Sequence, residues 1–185
     1  MLSAMRTLLT VAALSVAALW AAPAEAQFQN HSLGVRVGYI TESPGLDLGP
    51  TFPPPAFGVN GSVYIQDHFD LFLAMDIGIQ QNSLGHQALL IYPEVAVRYF
   101  FIEDYLRPYA GLEVSFVHAF LNDECDNTSC TTTDNLLGGG VMLGLEYSIT
   151  DQLSIGGSAE LVALWWLNEP VFYEPRIFVR LSTNF

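Results

Sequence analysis

Residues 137–149 read LGGGVMLGLEYSI. Apolar side chains at Leu137, Val141, Leu143, Leu145, Tyr147 and Ile149 share one parity. Gly138, Gly140, Gly144, Glu146 and Ser148 share the other. A period of two means extended chain with two unlike faces.

The same alternation runs outward from this stretch in both directions. Upstream, Leu33, Val35, Val37 and Tyr39 alternate with Gly34, Arg36 and Gly38. Phe57, Val59, Val63 and Ile65 alternate with Asn60, Ser62, Tyr64 and Gln66. Leu71, Leu73, Met75, Ile77 and Ile79 oppose Ala74, Asp76, Gly78 and Gln80. Leu89, Ile91, Val95, Val97 and Tyr99 oppose Glu94, Ala96 and Arg98. Ala110, Leu112, Val114 and Phe116 oppose Tyr109, Gly111, Glu113 and Ser115. Downstream, Leu153 to Trp165 and Val171 to Leu181 repeat the pattern, with Glu160, Glu174, Arg176 and Arg180 at the polar parity. No sustained helical period follows residue 27. The sequence predicts about eight strands of ~9–14 residues, long enough to cross a membrane when tilted.

The connections alternate in length. Short ones are predicted at 66–70, 102–105 and 150–152, and longer ones at 41–56, 81–87, 121–135 and 167–170. The first long connection holds Pro44, Pro50, Pro53, Pro54 and Pro55, which excludes a strand there. An even strand count with short turns on one side and longer loops on the other is the outer-membrane arrangement, with both termini periplasmic. Pro93 and Pro175 fall inside predicted strands, nearer the loop side, where local bulges or an unpaired strand extension are expected to accommodate them and the register can slip by one residue.

Composition narrows the class. Hydrophobic residues make up 51% of the 185 and charged residues 14%, against ~25% charged in soluble domains. The extreme N-terminus alone approaches the length of a spanning helix. Arg6, the apolar run Leu8–Trp20 and the Ala24-Glu25-Ala26 site read as a secretory signal. Residues 1–26 are therefore expected to be a signal peptide, and 27–185 one barrel domain starting at Gln27. The net charge of −13 makes nucleic acid an improbable partner.

The charges decide which face looks outward. The chain has no lysine. Beyond the signal, all its arginines (Arg36, Arg98, Arg107, Arg176, Arg180) sit at the polar parity. So do Asp76, Glu94, Glu113, Glu146, Glu160 and Glu174. A soluble barrel would show lysine on this face. A face of arginine, acids and small residues instead suits a narrow lumen, where guanidinium forks pair with carboxylates. The apolar parity then faces lipid. Tyr39, Phe57, Tyr99, Phe116, Tyr147, Trp165 and Tyr173 would form its interfacial girdles. The expected fold is all-β: an antiparallel, up-and-down, eight-stranded transmembrane β-barrel preceded by a cleaved signal peptide.

Across residues 27–185 the chain resembles the small outer-membrane barrels of the OmpA/OmpX-like class. Its last strand resembles their assembly signal, with Ile177, Val179, Leu181 and the terminal Phe185 at matching positions and Thr183 departing from the pattern. The resemblance implies the barrel-assembly machinery and periplasmic chaperones as folding partners, with lipid and lipopolysaccharide around the folded barrel.

No catalytic set is legible. His118 falls at the outward parity and Ser115 and Glu113 at the inward one, so they cannot hydrogen-bond on one strand. Ser83 and His86 lack a clear acid beside them. Asp123, Glu124 and Asp126, with Asp134 nearby, give oxygen ligands dense enough for Ca²⁺, without the spacing or glycine of an EF-hand. They read as a solvated loop; no metal or cofactor is expected. In an oxidising compartment Cys125 and Cys130 are expected to form a disulfide across it.

The leading expectation is a monomeric, non-enzymatic barrel at the bacterial outer membrane. Its lumen is sealed by an Arg/carboxylate network, and its extracellular loops serve envelope integrity or adhesion to a surface ligand. The alternatives are a narrow pore or transporter for ions or small molecules, and a lipid-modifying enzyme.

Overall fold

The computed structural model describes residues 31–41, 55–66, 68–81, 87–102, 104–125, 128–165 and 171–185. Eight strands follow one another: β1 (His31–Ile40), β2 (Pro55–Gln66), β3 (Phe69–Gln81), β4 (Gln87–Phe100), β5 (Leu106–Cys125), β6 (Thr128–Thr150), β7 (Leu153–Trp165) and β8 (Phe172–Asn184). Each pairs antiparallel with the next, and β8 pairs back onto β1 to close the barrel. Closure removes the sheet edge, so every strand has two partners for its backbone groups. At the seam His31 and Phe185 exchange two backbone hydrogen bonds, of 3.1 and 2.9 Å.

One end of the barrel carries both described termini and the short turns between β2 and β3, β4 and β5, and β6 and β7. It is called the turn end here, and the opposite end the loop end. The Thr150 hydroxyl accepts from the backbone N–H groups of Gln152 and Leu153, which sets the β6–β7 turn. Bulges at Tyr64/Gln66 and Ser148/Thr150 lie beside two of these turns.

The proline positions decide between the expectations for them. No register slip occurs at Pro93 or Pro175. Pairing between β4 and β5 lapses at Tyr92–Pro93 and resumes in the same register, from Ile91↔His118 to Glu94↔Ser115. Pro175 lies just past the last β1–β8 pair, Ile40↔Arg176. Its carbonyl accepts from the Thr41 N–H and hydroxyl, at 3.0 and 2.8 Å. Its missing donor therefore falls where the β1 ladder has ended.

A correction concerns residues 121–135, which the sequence reads as a loop. β5 and β6 stay paired through Cys125↔Thr128. Thr128, Thr131, Thr132 and Thr133 are β-branched, and no proline or glycine interrupts them. Among the described residues β6 pairs with β7 from Leu137↔Trp165 onward. The hairpin therefore continues past its last described partner on β7 for about 30 Å at the usual rise of a strand.

Candidate functional site

The barrel has an apolar outside and a filled inside. Outward-facing Leu112, Leu143 and Ile177 are 70%, 63% and 62% exposed. Aromatic side chains gather near both ends of this surface. At the turn end Tyr99 meets Phe69 at a tilt and Phe101 edge-on, with ring centres 4.9 and 5.4 Å apart. Tyr39, Phe57, Phe116, Trp165 and Tyr173 face outward toward the loop end, and Tyr147 outward near the turn end. Apolar surface on this scale is stable against hydrocarbon and not against water.

The inward parity carries the charges, in distinct groups. Near the turn end, Arg98 holds Asp70 through its Nε, at 2.8 Å, and its Nη2. Its guanidinium packs over the rings of Phe72, Tyr109 and Phe100, 4.3, 5.0 and 5.4 Å from their centres. Arg107 and Arg180 both pair with Glu146. Tyr64 joins them, accepting from Arg107 and donating to Glu146.

In the middle of the barrel, Arg36 pairs with Asp76, with Glu94 at 2.6 Å and with Glu160 at 3.5 Å. Arg176 donates to Glu174 at 2.7 Å and to the Ser115 hydroxyl at 3.0 Å. Glu113 is 4% exposed, and neither of its oxygens has a hydrogen-bond partner.

The bare wall positions explain how so many large groups fit. Gly144 lies directly across the ladder from Tyr109, Gly38 from Phe178, Gly58 from Asp76 and Gly140 from Glu113. In each case a Cβ on the glycine would collide with the facing side chain. The ladder thus sets these four bulky lumen residues opposite a gap.

The lumen also differs from the sequence expectation of arginine, acids and small residues alone. Toward the loop end it is lined by Ile40, Leu90, Tyr92, Val117, Val162 and Leu164, each at most 1% exposed. Phe72, Phe100, Tyr109 and Met142 form a second cluster nearer the turn end. In β4 the run Leu89-Leu90-Ile91-Tyr92 is apolar on both faces, so alternation there shows only one of them. Asp70 was also missed, because it was read as part of the turn. It shares the parity of Phe72, Ala74 and Asp76 and is fully buried, which is the signal that would have found it.

The outer assignments can be compared in the same way. Ser115 points inward to Arg176, while His118 stacks between Phe116 and Phe120 on the outward parity and meets Asn135. Among the described residues these groups do not form a catalytic set. Ile177, Val179, Leu181 and Phe185 all point outward. The leader at 1–26, the proline-rich stretch within 42–54, Ser83–His86 and Asp126 lie outside the described residues. So do the side chains of Asp123, Glu124, Asp134, Cys125 and Cys130, and with them the expected disulfide.

A closed eight-stranded barrel, apolar outside and polar within, is built inside out relative to a soluble one, as membrane barrels are. The chain belongs to the outer membrane protein beta-barrel domain family, whose model matches residues 9–165. Solved structures with the same fold include Neisserial surface protein A, with a TM-score of 0.68 and 13% identity over 84% of this chain and 97% of that one. OprG from Pseudomonas aeruginosa matches with a TM-score of 0.53 and 14% identity, over 85% of this chain and 97% of its own. Ail, the attachment invasion locus protein of Yersinia pestis, matches with a TM-score of 0.50 and 15% identity, over 83% and 94%. At these identities the likeness is one of fold. No curated protein sequence matches significantly.

Proposed function

We propose that this chain is a monomeric, non-conducting outer-membrane barrel that acts through the surface it presents at the loop end. The filled lumen is the observation that carries this reading. Apolar side chains line the loop end, and ion pairs bridge the middle of the barrel. An eight-stranded barrel has an interior just wide enough for side chains to fill, leaving no channel once they do.

With the lumen filled and the wall facing lipid, the chemistry left to the protein lies at its rims. Among the described residues the β5–β6 hairpin reaches farthest there, and it carries Asp123 and Glu124. In the proposed orientation the termini and short turns are periplasmic and the hairpin is extracellular, after export and removal of residues 1–26. The contrast between short turns and longer connections supports this orientation. A surface-attachment role, of the kind named for the Yersinia pestis protein, fits a rigid barrel displaying variable segments. The outward-facing last strand fits recognition by the assembly machinery. Divalent cations could link the acidic hairpin to lipopolysaccharide phosphates.

The test is made on intact cells. An epitope placed at residues 126–127 should be labelled from outside, and shortening the hairpin by residues 121–135 should reduce attachment of the cells to a surface while the barrel still assembles. An epitope reached only after the outer membrane is opened would overturn the orientation. Unchanged attachment across a panel of surfaces would overturn the role of the hairpin.

A further inference from the structure

Charge is unevenly distributed along the lumen. Near the turn end, Asp70 and Glu146 face Arg98, Arg107 and Arg180, a local excess of one positive charge. In the middle, Asp76, Glu94, Glu113, Glu160 and Glu174 face only Arg36 and Arg176, a local excess of three negative charges.

The excess converges on Glu94, Glu113 and Glu160, from which one oxygen each can be chosen so that all three lie within 4.8 Å of one another. Four oxygens in this group have no hydrogen-bond partner: Oε1 of Glu94, both oxygens of Glu113 and Oε2 of Glu160. Glu113 belongs to no ion pair with an arginine among the described residues, and it is held over the bare wall at Gly140, where a Cβ would lie 2.6 Å from its Oε1. Val117 and Val162 shut the group off from the loop end, and Phe72 and Met142 lie on the turn-end side. Several unneutralised carboxylates in so dry a place are costly.

We propose that Glu94, Glu113 and Glu160 bind one divalent cation of the Ca²⁺ type inside the barrel, which offsets two of the three negative charges that Arg36 and Arg176 leave over. Ca²⁺ takes carboxylate oxygens at about 2.3–2.6 Å, so ligands on opposite sides of its shell stand about 4.6–5.2 Å apart. The carboxylates fit that span. The ion enters as the barrel closes and acts as an internal fastener between β4, β5 and β7. This proposal rests on the lumen alone and is independent of the surface role of the hairpin.

The full chain is refolded into detergent micelles with CaCl₂ or with EDTA, desalted, and assayed for bound calcium by atomic emission and for its thermal unfolding midpoint. About one retained ion per chain and a higher midpoint in calcium are expected. Glu113→Gln should still fold, judged by heat-dependent gel mobility, and should lose both the ion and the shift. If that variant does not fold, Glu160→Gln serves in its place. Asp123→Asn with Glu124→Gln, on the hairpin, should retain both. Absence of retained calcium together with equal midpoints would overturn the site and leave the excess charge to protons. Loss of the ion in the hairpin variant alone would overturn it as well, by moving the binding to the rim.

Discussion

Arg36 on β1 donates from Nη2 to Glu94 Oε2 on β4 across 2.6 Å, although three ladder steps separate the two strands along the wall. Neighbouring strands lie about 4.8 Å apart, so this bond runs through the interior as a chord. The same guanidinium holds Asp76 and reaches Glu160 on β7. Four strands are thereby tied at one side chain.

Replacing Arg36 with Met is expected to leave those carboxylates short of their shared cation. Removing one partner of a buried ion pair costs roughly 3–5 kcal/mol. A urea titration of the refolded barrel should show its midpoint falling accordingly, with Arg36→Lys recovering only part because the fork is lost. An unchanged midpoint would mean the chord carries no stability.

Asp70 and Arg98 form a pair that can be removed as a unit. Arg98→Met alone should destabilise by roughly 3–5 kcal/mol, since Asp70 stays buried without its partner. The double variant with Asp70→Leu should lie within about 1 kcal/mol of the parent, because the new side chains pack among Phe72, Phe100 and Tyr109. The coupling is read from a double-mutant cycle, and additive losses would contradict the pairing.

The lumen glycines predict a contrast. Gly144→Ala places a methyl group against the Tyr109 ring, and overpacking of this kind costs roughly 1–3 kcal/mol. Tyr109→Leu should relieve part of it. At Gly78 a Cβ would meet Tyr92 at 3.6 Å, an ordinary contact. Gly78→Ala should therefore be neutral or slightly stabilising. Equal effects at the two sites would argue against the observed packing.

How far the sequence could be read follows from the same residues. The outward parity was legible wherever a lipid-facing row is apolar at every second position, as from Leu137 to Ile149, and not over 121–135. The arginines were legible because they had nowhere else to point. Leu90, Val162 and Phe178 were not, since an apolar residue between two apolar neighbours leaves no alternation to read. Asp70 was lost because turn and strand share aspartate. Which carboxylate meets which guanidinium depends on strand pairing across the lumen, as with Arg36 and Glu94, and no local pattern encodes it.

The outer wall makes a prediction of the opposite kind. Leu143 is 63% exposed near mid-strand, and a soluble barrel would tolerate arginine there. In a bilayer Leu143→Arg should cost about 2–4 kcal/mol, less if the site lies nearer an interface. Folding titrations into lipid vesicles decide between the two, and a neutral result would contradict the lipid-facing assignment.

The central claim is that the lumen is sealed, and single-channel recording of the refolded barrel in a planar bilayer tests it most directly. A folded protein, verified by heat-dependent gel mobility, should remain silent across the voltage range. Steady, discrete openings whose size changes when Arg98 or Glu146 is neutralised would contradict the account and make this barrel a pore.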